Sequence, residues 1–256
     1  MKWDLTKLFK TPQKWEKGYE ELVAMIDELP KFEGTLDTFE SFKEYYDLQR
    51  NLSVLLLKVY QYAALTFDLN RKNVENGARV QKVGYQLNRL GQATAWDAPE
   101  ILKIGKKTVD EFISRDESLK EYQFSIDKLF RMQEHVLDPK SESLLANFSQ
   151  LSGQGNQVYT ALSVSDKQDK KVTLSNGETV TVTSGNYRSF LADLQDPSDR
   201  TKVFEAVFST YKDHKNAYAQ IYNTVLQRDV ANMKSRKYSS SLESYLFNNN
   251  IPLDVY

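Results

Sequence analysis

Hydrophobic positions recur at helical spacing along most of this chain. Between residues 197 and 236 the apolar side chains follow one another at steps of three and four, which predicts one long helix. The same period predicts helices at about 12–29, 36–67, 71–96, 98–114, 117–136, 139–150 and 155–165, with shorter ones at 184–194 and 239–247. The pattern therefore indicates a mainly α fold with the architecture of a long-helix bundle.

Prolines mark the ends of these predicted helices. Proline is tolerated best in the first helical turn, where its missing N–H group has no partner to lose. Most of the prolines stand at predicted helix starts: Pro12, Pro99, Pro139, Pro197 and Pro252. The last of them, in "NNNIPLDVY" (248–256), predicts a further helix that begins where the sequence stops.

One stretch departs from the helical period and alternates instead. In "KVTLSNGETVTV" (171–182) apolar and polar residues alternate on both sides of Asn176 and Gly177. Asn-Gly between alternating segments is a strong signal for a two-residue hairpin turn, so we predict one β-hairpin at about 171–183. An isolated hairpin is marginally stable. It is expected to pack on the helices as a capping flap, or to border a binding cleft.

Composition narrows the class of protein. The chain has 256 residues, 40% hydrophobic and 27% charged, with a formal net charge of −1. A net charge of −1 produces no electrostatic field that would attract nucleic acid. The absence of cysteine excludes disulfides and thiolate metal sites. The longest apolar stretch, "VLLLKVYQYAAL" (54–65), is interrupted by Lys58 and Gln61, so we predict no membrane span. The N-terminus shows no signal peptide, and the expected location is cytoplasmic.

Candidate chemistry is sparse. The chain contains two histidines, His135 and His214, and neither stands in an H-E-x-x-H or E-x-x-H pattern. His135 is expected near a helix C-terminus, where a cation suits the helix dipole, and His214 lies in line with Tyr211 and Tyr218 on the long helix. A ligand role is the alternative for each histidine. The residues thus predict no catalytic group and no metal ligand, and they identify no substrate-binding residue.

Aromatic residues are abundant and leave two possibilities open. The chain has 15 tyrosines and 13 phenylalanines. Such side chains usually form the core that long helices bury, but they could also line a peptide-binding groove.

Three blocks of sequence resemble the oligoendopeptidase F family of thimet-type zinc oligopeptidases. They are "WDLTKLFKTPQKWEKGYEEL" (3–22), "YQFSIDKLFRMQEHVLDPKSESLLANFSQLSGQGNQVYTAL" (122–162) and the stretch from "GNYRSFLADLQDPSDR" to "SLESYLFNNNIP" (185–252). They follow the order of the family's N-terminal part, and 163–171 is a weaker match. None of these blocks carries a catalytic signature.

The resemblance implies a largely helical fold and membership of a class of cytoplasmic zinc peptidases that hydrolyse short peptides. It implies that the zinc ligands and the catalytic Glu lie C-terminal to the last residue of this sequence. Zinc would belong to the parent protein, with no zinc bound by this chain. The expected partners are short peptides and the C-terminal remainder of the peptidase domain, with no nucleic acid and no membrane.

Two functional hypotheses follow. In the first, the chain is the N-terminal, non-catalytic part of a zinc metallo-oligopeptidase and forms part of the wall of its substrate cleft. Its organisation would be an N-terminal helical region (1–115), a helical segment with the β-hairpin (116–196) and the start of the peptidase domain (197–256). In the second, the chain is a complete helical module that binds peptides or proteins without catalysis.

Overall fold

The computed structural model describes residues 3–256, so the first two residues of the predicted 1–115 region lie outside it. The fold is mainly helical with one antiparallel hairpin, as the sequence predicts. The α-helices are α1 Pro12–Glu28, α2 Phe39–Leu69, α3 Val74–Ala93, α4 Asp97–Ile104, α5 Lys106–Arg115, α6 Gln123–Arg131, α7 Pro139–Phe148, α8 Gln154–Thr160, α9 Tyr187–Asp193, α10 Pro197–Asp213, α11 Lys215–Ser235 and α12 Ser241–Phe247. The strands are β1 Lys170–Thr173 and β2 Thr179–Val182.

The chain forms two compact units. The first comprises Met1–Leu151 and Val230–Tyr256, and the second comprises Ser152–Asp229. The three predicted regions, with boundaries after residues 115 and 196, stay a prediction.

The first unit is organised around α1, α2 and α3. Thr11 caps α1 by accepting a hydrogen bond from the Lys14 backbone N–H at 3.3 Å, and Pro12 occupies the first turn. The buried face of α1 carries Trp15, Leu22 and Ile26, which are spaced by helical turns and pack into the core. The Trp15 indole N–H donates to the Val59 carbonyl of α2 at 2.9 Å, so the largest fully buried side chain is also hydrogen-bonded.

Helix α2 is both long and apolar. Within the described residues, Phe39–Leu69 is the one helix that is long and apolar enough to cross a membrane, with a mean hydropathy of 1.3 in its best window. The sequence analysis predicts no span because Lys58 and Gln61 interrupt the apolar run. The mean hydropathy of the window stays high in spite of these two residues. A core helix passes the same test, and α2 contributes Phe42, Leu52 and Val59 to the core of the first unit.

Two predicted helices of the first unit are shorter in the structure. The predicted 98–114 helix is divided into α4 and α5 by Gly105, whose φ of +91° is incompatible with a continuous right-handed helix. The predicted 117–136 helix begins as a 3₁₀ turn over Glu117–Tyr122, because the Asp116 carboxylate accepts the Ser118 N–H and tightens the entry. Its α-helical part is α6, and a second 3₁₀ turn follows at Gln133–His135.

The second unit begins with α8, which corresponds to the first part of the predicted 155–165 helix. The remainder of that segment, Ala161–Ser165, forms a π-helical turn. The predicted 197–236 helix is also wrong as a continuous element. It stops at His214, with φ −116° and ψ 24°, where the imidazole Nδ1 lies 3.0 Å from the Thr210 carbonyl oxygen and competes for the acceptor of the next helical hydrogen bond.

The hairpin is confirmed, but its turn is wider than predicted. The two strands pair with Val172 opposite Val180, and the connecting loop contains five residues rather than two. Of the two turn residues that the sequence pattern places at positive φ, Gly177 alone adopts it, at +85°. The Gly177 N–H donates to the Leu174 carbonyl at 2.9 Å, which closes the turn before the glycine.

The hairpin packs against α10, as an otherwise marginal element requires. Four buried apolar residues form this small core: Leu174, Val182, Val203 and Val207. Asp199 of α10 adds a polar anchor, because its carboxylate accepts two bonds from the Ser175 N–H and one from the Ser175 hydroxyl at 2.6 Å. Hydrogen bonds from Lys202 and Ser175 lower the pKa of Asp199 to about 2.

Candidate functional site

The most apolar cavity of the second unit is a groove between α8 and the first half of α11. We call it the tyrosine groove. Its volume is about 510 Å³, and its lining residues are Gly155, Asn156, Tyr159, Tyr211, Lys215, Tyr218, Ile221, Tyr222 and Val225. One helical stripe, with spacings of four, three, four and three, contains Tyr211, Lys215, Tyr218, Tyr222 and Val225, and Ile221 lies beside it. The stripe continues across the interruption at His214.

A glycine allows the two helices to approach. A Cβ atom at Gly155 would lie 3.2 Å from Val225 Cγ2 and 3.6 Å from the Ile221 carbonyl oxygen. An added Cβ would require the Val225 side chain to shift by a few tenths of an ångström, so glycine permits the observed close approach. Gly155 itself is buried, although it lines the cavity.

The aromatic rings form a contiguous surface. The ring centroids of Tyr211 and Tyr218 are 5.1 Å apart, and those of Tyr159 and Tyr218 are 5.8 Å apart with an interplanar angle of 63°. Both separations lie in the range of favourable aromatic pairing. Tyr222 is 65% exposed, so this side of the groove is open to solvent. The arrangement suits a flat apolar group laid against the rings.

Polar groups of the groove are few, and the Tyr211 and Tyr159 side chains are hydrogen-bonded to each other. The Tyr218 hydroxyl is buried and has no hydrogen-bond partner within residues 3–256. Burial also raises the pKa of Tyr218 and Tyr211, so both phenols stay protonated at neutral pH. Lys215 is exposed, and none of the described acidic residues forms a salt bridge with it. The groove therefore offers hydroxyl donors and one positive charge, with no nucleophile–base pair for catalysis.

A second cavity, of about 370 Å³, lies in the first unit around His135. The His135 Nδ1 is 2.8 Å from the Arg236 carbonyl oxygen, and its ring stacks on Tyr238 at a centroid distance of 3.6 Å. Arg236 in turn forms a two-pronged ion pair with Glu142, one contact of which is 2.8 Å long. These groups already satisfy one another, so the cluster joins α6, α7 and the end of α11 rather than presenting a reactive site.

One carboxyl group in this cavity is unusual. Asp97 is partly buried, and its desolvation raises its pKa despite the hydrogen bond that it accepts from the Tyr45 hydroxyl at 2.7 Å. The Tyr45 hydroxyl makes a second hydrogen bond, because it also accepts from the Gln49 amide at 2.7 Å. The sequence pattern does not single out this carboxyl.

Neither histidine belongs to a metal-binding group. Among residues 3–256, no cluster of three or more His, Cys, Asp or Glu side chains has the geometry to hold a metal ion. His135 uses Nδ1 for the Arg236 carbonyl, and His214 directs its Nδ1 to Thr210. The donor set of this chain therefore does not fit the zinc that the resemblance implies for the parent protein.

The groove residues were not identifiable individually from the sequence. Tyr211 and Tyr218 lie in a predicted helical stripe, and the abundance of tyrosine leaves a peptide-binding groove open as an alternative. The sequence feature that points to this site is the helical spacing that continues from Tyr211 and Tyr218 through Lys215 and Tyr222. Gly155 and Tyr159 come from another helix, and only the fold brings them to the stripe.

Comparison with known proteins supports one family. A family model described as Oligopeptidase F matches residues 100–168. Oligopeptidase PepF of Bacillus subtilis (strain 168) is 29% identical over 255 residues, which cover 99% of this chain and 38% of the relative. Group B oligopeptidase PepB of Streptococcus agalactiae serotype III (strain NEM316) is also 29% identical over 255 residues, covering 99% of this chain and 42% of the relative.

A solved structure agrees with these matches. The crystal structure of oligoendopeptidase-F from Enterococcus faecium superimposes with a TM-score of 0.86 at 26% sequence identity, covering 96% of this chain and 49% of that chain. The chain spans 38% to 42% of the length of the two curated relatives named above. The resemblance seen in the three sequence blocks is thereby confirmed. The chain is similar to the oligopeptidase F family and corresponds to the N-terminal region of these relatives.

Proposed function

We propose that this chain is the N-terminal, non-catalytic part of a zinc metallo-oligopeptidase that hydrolyses short peptides. The observation that carries the proposal is the similarity to oligoendopeptidase-F over 96% of the chain, combined with coverage of only 49% of that protein. Hydrolysis would then depend on residues that this chain does not contain.

The role of this chain's own residues is binding and exclusion. The tyrosine groove supplies an apolar surface with hydroxyl donors, and we assign it to the wall of the peptide-binding cleft. Tyr159, Tyr211 and Tyr218 would hold and orient peptide, while the hairpin on α10 would border the cleft and restrict the size of the substrate. No residue of this chain is proposed to hold zinc, and a zinc ion held elsewhere in the parent protein would supply Lewis-acid catalysis.

The same proposal covers partners and location. The expected partners are short peptides and the C-terminal remainder of the peptidase domain. The nearly neutral charge of −1 favours neither nucleic acid nor acidic membrane surfaces. We propose the cytoplasm as the site of action, on the strength of a cysteine-free sequence.

The test compares two proteins. One is the product of the complete open reading frame that encodes this chain, and the other is residues 1–256 alone. We expect the complete product to bind about one zinc ion and to hydrolyse a quenched-fluorescence octapeptide, and residues 1–256 to do neither. Zinc-dependent turnover of the octapeptide by residues 1–256 would refute the proposal. A reading frame that ends at Tyr256, with peptide binding and no hydrolysis, would favour the alternative of a complete binding module.

A further inference from the structure

The sequence contains two asparagine–glycine pairs, and the fold places them in different environments. Asn76 and Gly77 lie in the first turn of α3, whereas Asn176 and Gly177 lie in the turn of the β-hairpin. Both residues of the hairpin pair are exposed, and both residues of the helical pair are partly buried. Because the two pairs have the same two residues, a difference in their chemistry reflects the structure around them.

An asparagine followed by glycine combines a nucleophile with a leaving group. The backbone nitrogen of the glycine attacks the side-chain Cγ of the asparagine and forms a C–N bond, and the side-chain NH₂ group leaves as ammonia with the proton of the glycine N–H. Water then opens the resulting cyclic imide at either carbonyl, which gives aspartate or isoaspartate without any oxidant or reductant. Glycine hinders this ring closure least, because it has no Cβ and adopts more backbone conformations than other residues.

The hairpin turn leaves the reacting groups of Asn176 accessible. A Cβ atom at Gly177 would meet nothing within 4 Å, so no neighbour crowds the attacking residue. The Asn176 Oδ1 accepts a hydrogen bond from the Glu178 N–H at 2.9 Å. This donor faces the oxygen on which negative charge develops during the attack, and such a contact stabilises the intermediate. The Asn176 amide nitrogen, which is the leaving group, donates no hydrogen bond within residues 3–256.

One hydrogen bond of the turn opposes the reaction. The Gly177 N–H donates to the Leu174 carbonyl at 2.9 Å, and this bond has to open before the nitrogen can attack. Its opening exposes no core, because residues 175–178 are all exposed already. Local opening of an exposed loop costs much less free energy than global unfolding. The turn therefore slows the reaction without preventing it.

The helical pair is held more firmly. The Asn76 amide is bound at both ends, because its Nδ2 donates to the Thr66 carbonyl at 2.9 Å and its Oδ1 accepts from Arg79 at 2.8 Å. The Gly77 N–H donates to the Asn73 carbonyl at 3.1 Å. Ring closure at Asn76 thus requires these three hydrogen bonds and the first turn of α3 to open together.

We propose that Asn176 is a site of spontaneous deamidation and of isomerisation to isoaspartate, and that α3 protects Asn76 from the same reaction. The modification weakens the hairpin, because the new carboxylate stands next to Ser175, whose N–H and hydroxyl bind the Asp199 carboxylate. Isoaspartate also lengthens the main chain by a methylene group, which displaces the Glu178 groups that close the turn. This inference is independent of the proposed function.

The experiment follows both pairs in the same folded chain, residues 1–256, by mass spectrometry. The chain is incubated in mildly alkaline buffer at physiological temperature, and tryptic peptides are quantified over time with fragment spectra that localise each conversion. Trypsin releases Asn176 in the peptide 172–188, where Asn186 is an internal control because its amide is bound to the backbone of Thr181 and Thr183. We expect Asn176 to convert at least about tenfold faster than Asn76, and Asn186 to stay intact.

Unfolding and two variants assign the difference to the structure. In guanidinium chloride the two pairs should convert at similar rates, because the unfolded chain protects neither. Asp199→Asn removes the anchor of Ser175 and should accelerate conversion of Asn176 about threefold without changing Asn76. Asn176→Gln is the matched control, because its longer side chain would have to close a larger ring, and the conversion at this position should disappear.

The effect on the hairpin is measured on converted chain that has been separated by ion exchange. Amide exchange in Lys170–Thr173 should be faster in this material than in the unconverted chain, and Asn176→Asp, which adds the charge alone, should accelerate it less. Equal exchange in converted and unconverted chain would overturn the inferred effect on the hairpin. Equal conversion of Asn76 and Asn176 in the folded chain would overturn the proposal, as would a folded Asn176 that stays intact while the unfolded chain is converted.

Discussion

The two compact units of this protein use aromatic residues in opposite ways. In the first unit, Trp15, Phe42 and Tyr45 are buried in a core that extends through α1 to α6. In the second unit, the buried core of the described residues contains four aliphatic side chains beneath the hairpin. Four tyrosines of the second unit lie instead along an open groove, where Tyr222 is 65% exposed, whereas Tyr187 packs against the hairpin core. Aromatic side chains thus contribute to the buried core of the first unit, and in the second unit most of the tyrosines line a groove.

The polar ends of the tyrosines show the same difference. In the first unit, the Tyr45 hydroxyl donates to Asp97 and the Tyr122 hydroxyl donates to the Tyr46 carbonyl, so these buried groups are satisfied internally. In the second unit, the Tyr218 hydroxyl is buried without a partner in residues 3–256. The difference concerns the tyrosines alone, because the first unit also leaves Ser118 Oγ and Arg131 Nε buried without a partner in residues 3–256.

The largest expected effect comes from the core of the first unit. Trp15→Ala removes a fully buried indole and its hydrogen bond to Val59, and we expect a loss of about 3–5 kcal/mol in the free energy of unfolding. The matched control is Tyr222→Ala in the groove, which should change stability by no more than about 0.5 kcal/mol because the side chain is exposed. Urea denaturation measures both. Similar losses in the two variants would contradict the division between a stabilising and a binding unit.

A smaller effect is expected at the hairpin turn. Gly177 has φ +85° and open space around its missing Cβ, so Gly177→Val is penalised by backbone conformation alone, by about 1–2 kcal/mol. Gly177→Asn is the control, because asparagine adopts this conformation more readily. Amide exchange in Lys170–Thr173 should accelerate in the valine variant and not in the asparagine variant. If the hairpin borders the cleft, the valine variant of the complete protein should also lose more peptide cleavage than folding stability.

The anchor of the hairpin is expected to depend on pH. The pKa of Asp199 is lowered to about 2, whereas an unfolded aspartate titrates near about 3.9. Because the folded pKa is the lower one, the ionised carboxylate stabilises the fold above pH about 4, and this contribution is lost as the pH falls towards about 2. The protection factor of the Ser175 amide, measured by NMR hydrogen exchange relative to the intrinsic rate at each pH, should therefore fall over that window. In Asp199→Asn the protection factor should be low at all pH values, and a pH-dependent protection factor retained in this variant would contradict the assignment.

The smallest expected effect is at Tyr218. Removal of its hydroxyl in Tyr218→Phe should leave the free energy of unfolding unchanged or raise it by up to about 0.5 kcal/mol, because no described hydrogen bond is lost. The matched substitution in the first unit, Tyr45→Phe, should lower it by about 1–2 kcal/mol, because the Asp97 carboxyl loses a donor. Thermal or urea unfolding distinguishes the two. A comparable loss in Tyr218→Phe would show that the hydroxyl already has a partner.

Much of the fold could be predicted from local patterns. The period of the apolar residues and the prolines at helix starts were enough for α1, α2 and α7, each within a few residues. The breaks inside longer helices were harder. Gly105 is a recognisable breaker, but it stands in a segment whose apolar period continues on both sides, and His214 interrupts its helix through a side-chain contact that composition does not reveal. The turn at Gly177 was identified, although its length was not.

By itself, the sequence determined the mainly helical class, the presence of one hairpin and the resemblance to the oligopeptidase F family, because helical period, turn residues and the order of matching blocks are local properties of the chain. It could place Tyr211 and Tyr218 on one stripe for the same reason. The tertiary structure decided that Gly155 and Tyr159 meet that stripe, that Asp199 anchors the hairpin and that the Tyr218 hydroxyl is buried without a partner. These facts depend on which helices pack together, and packing brings together residues that are distant in the sequence.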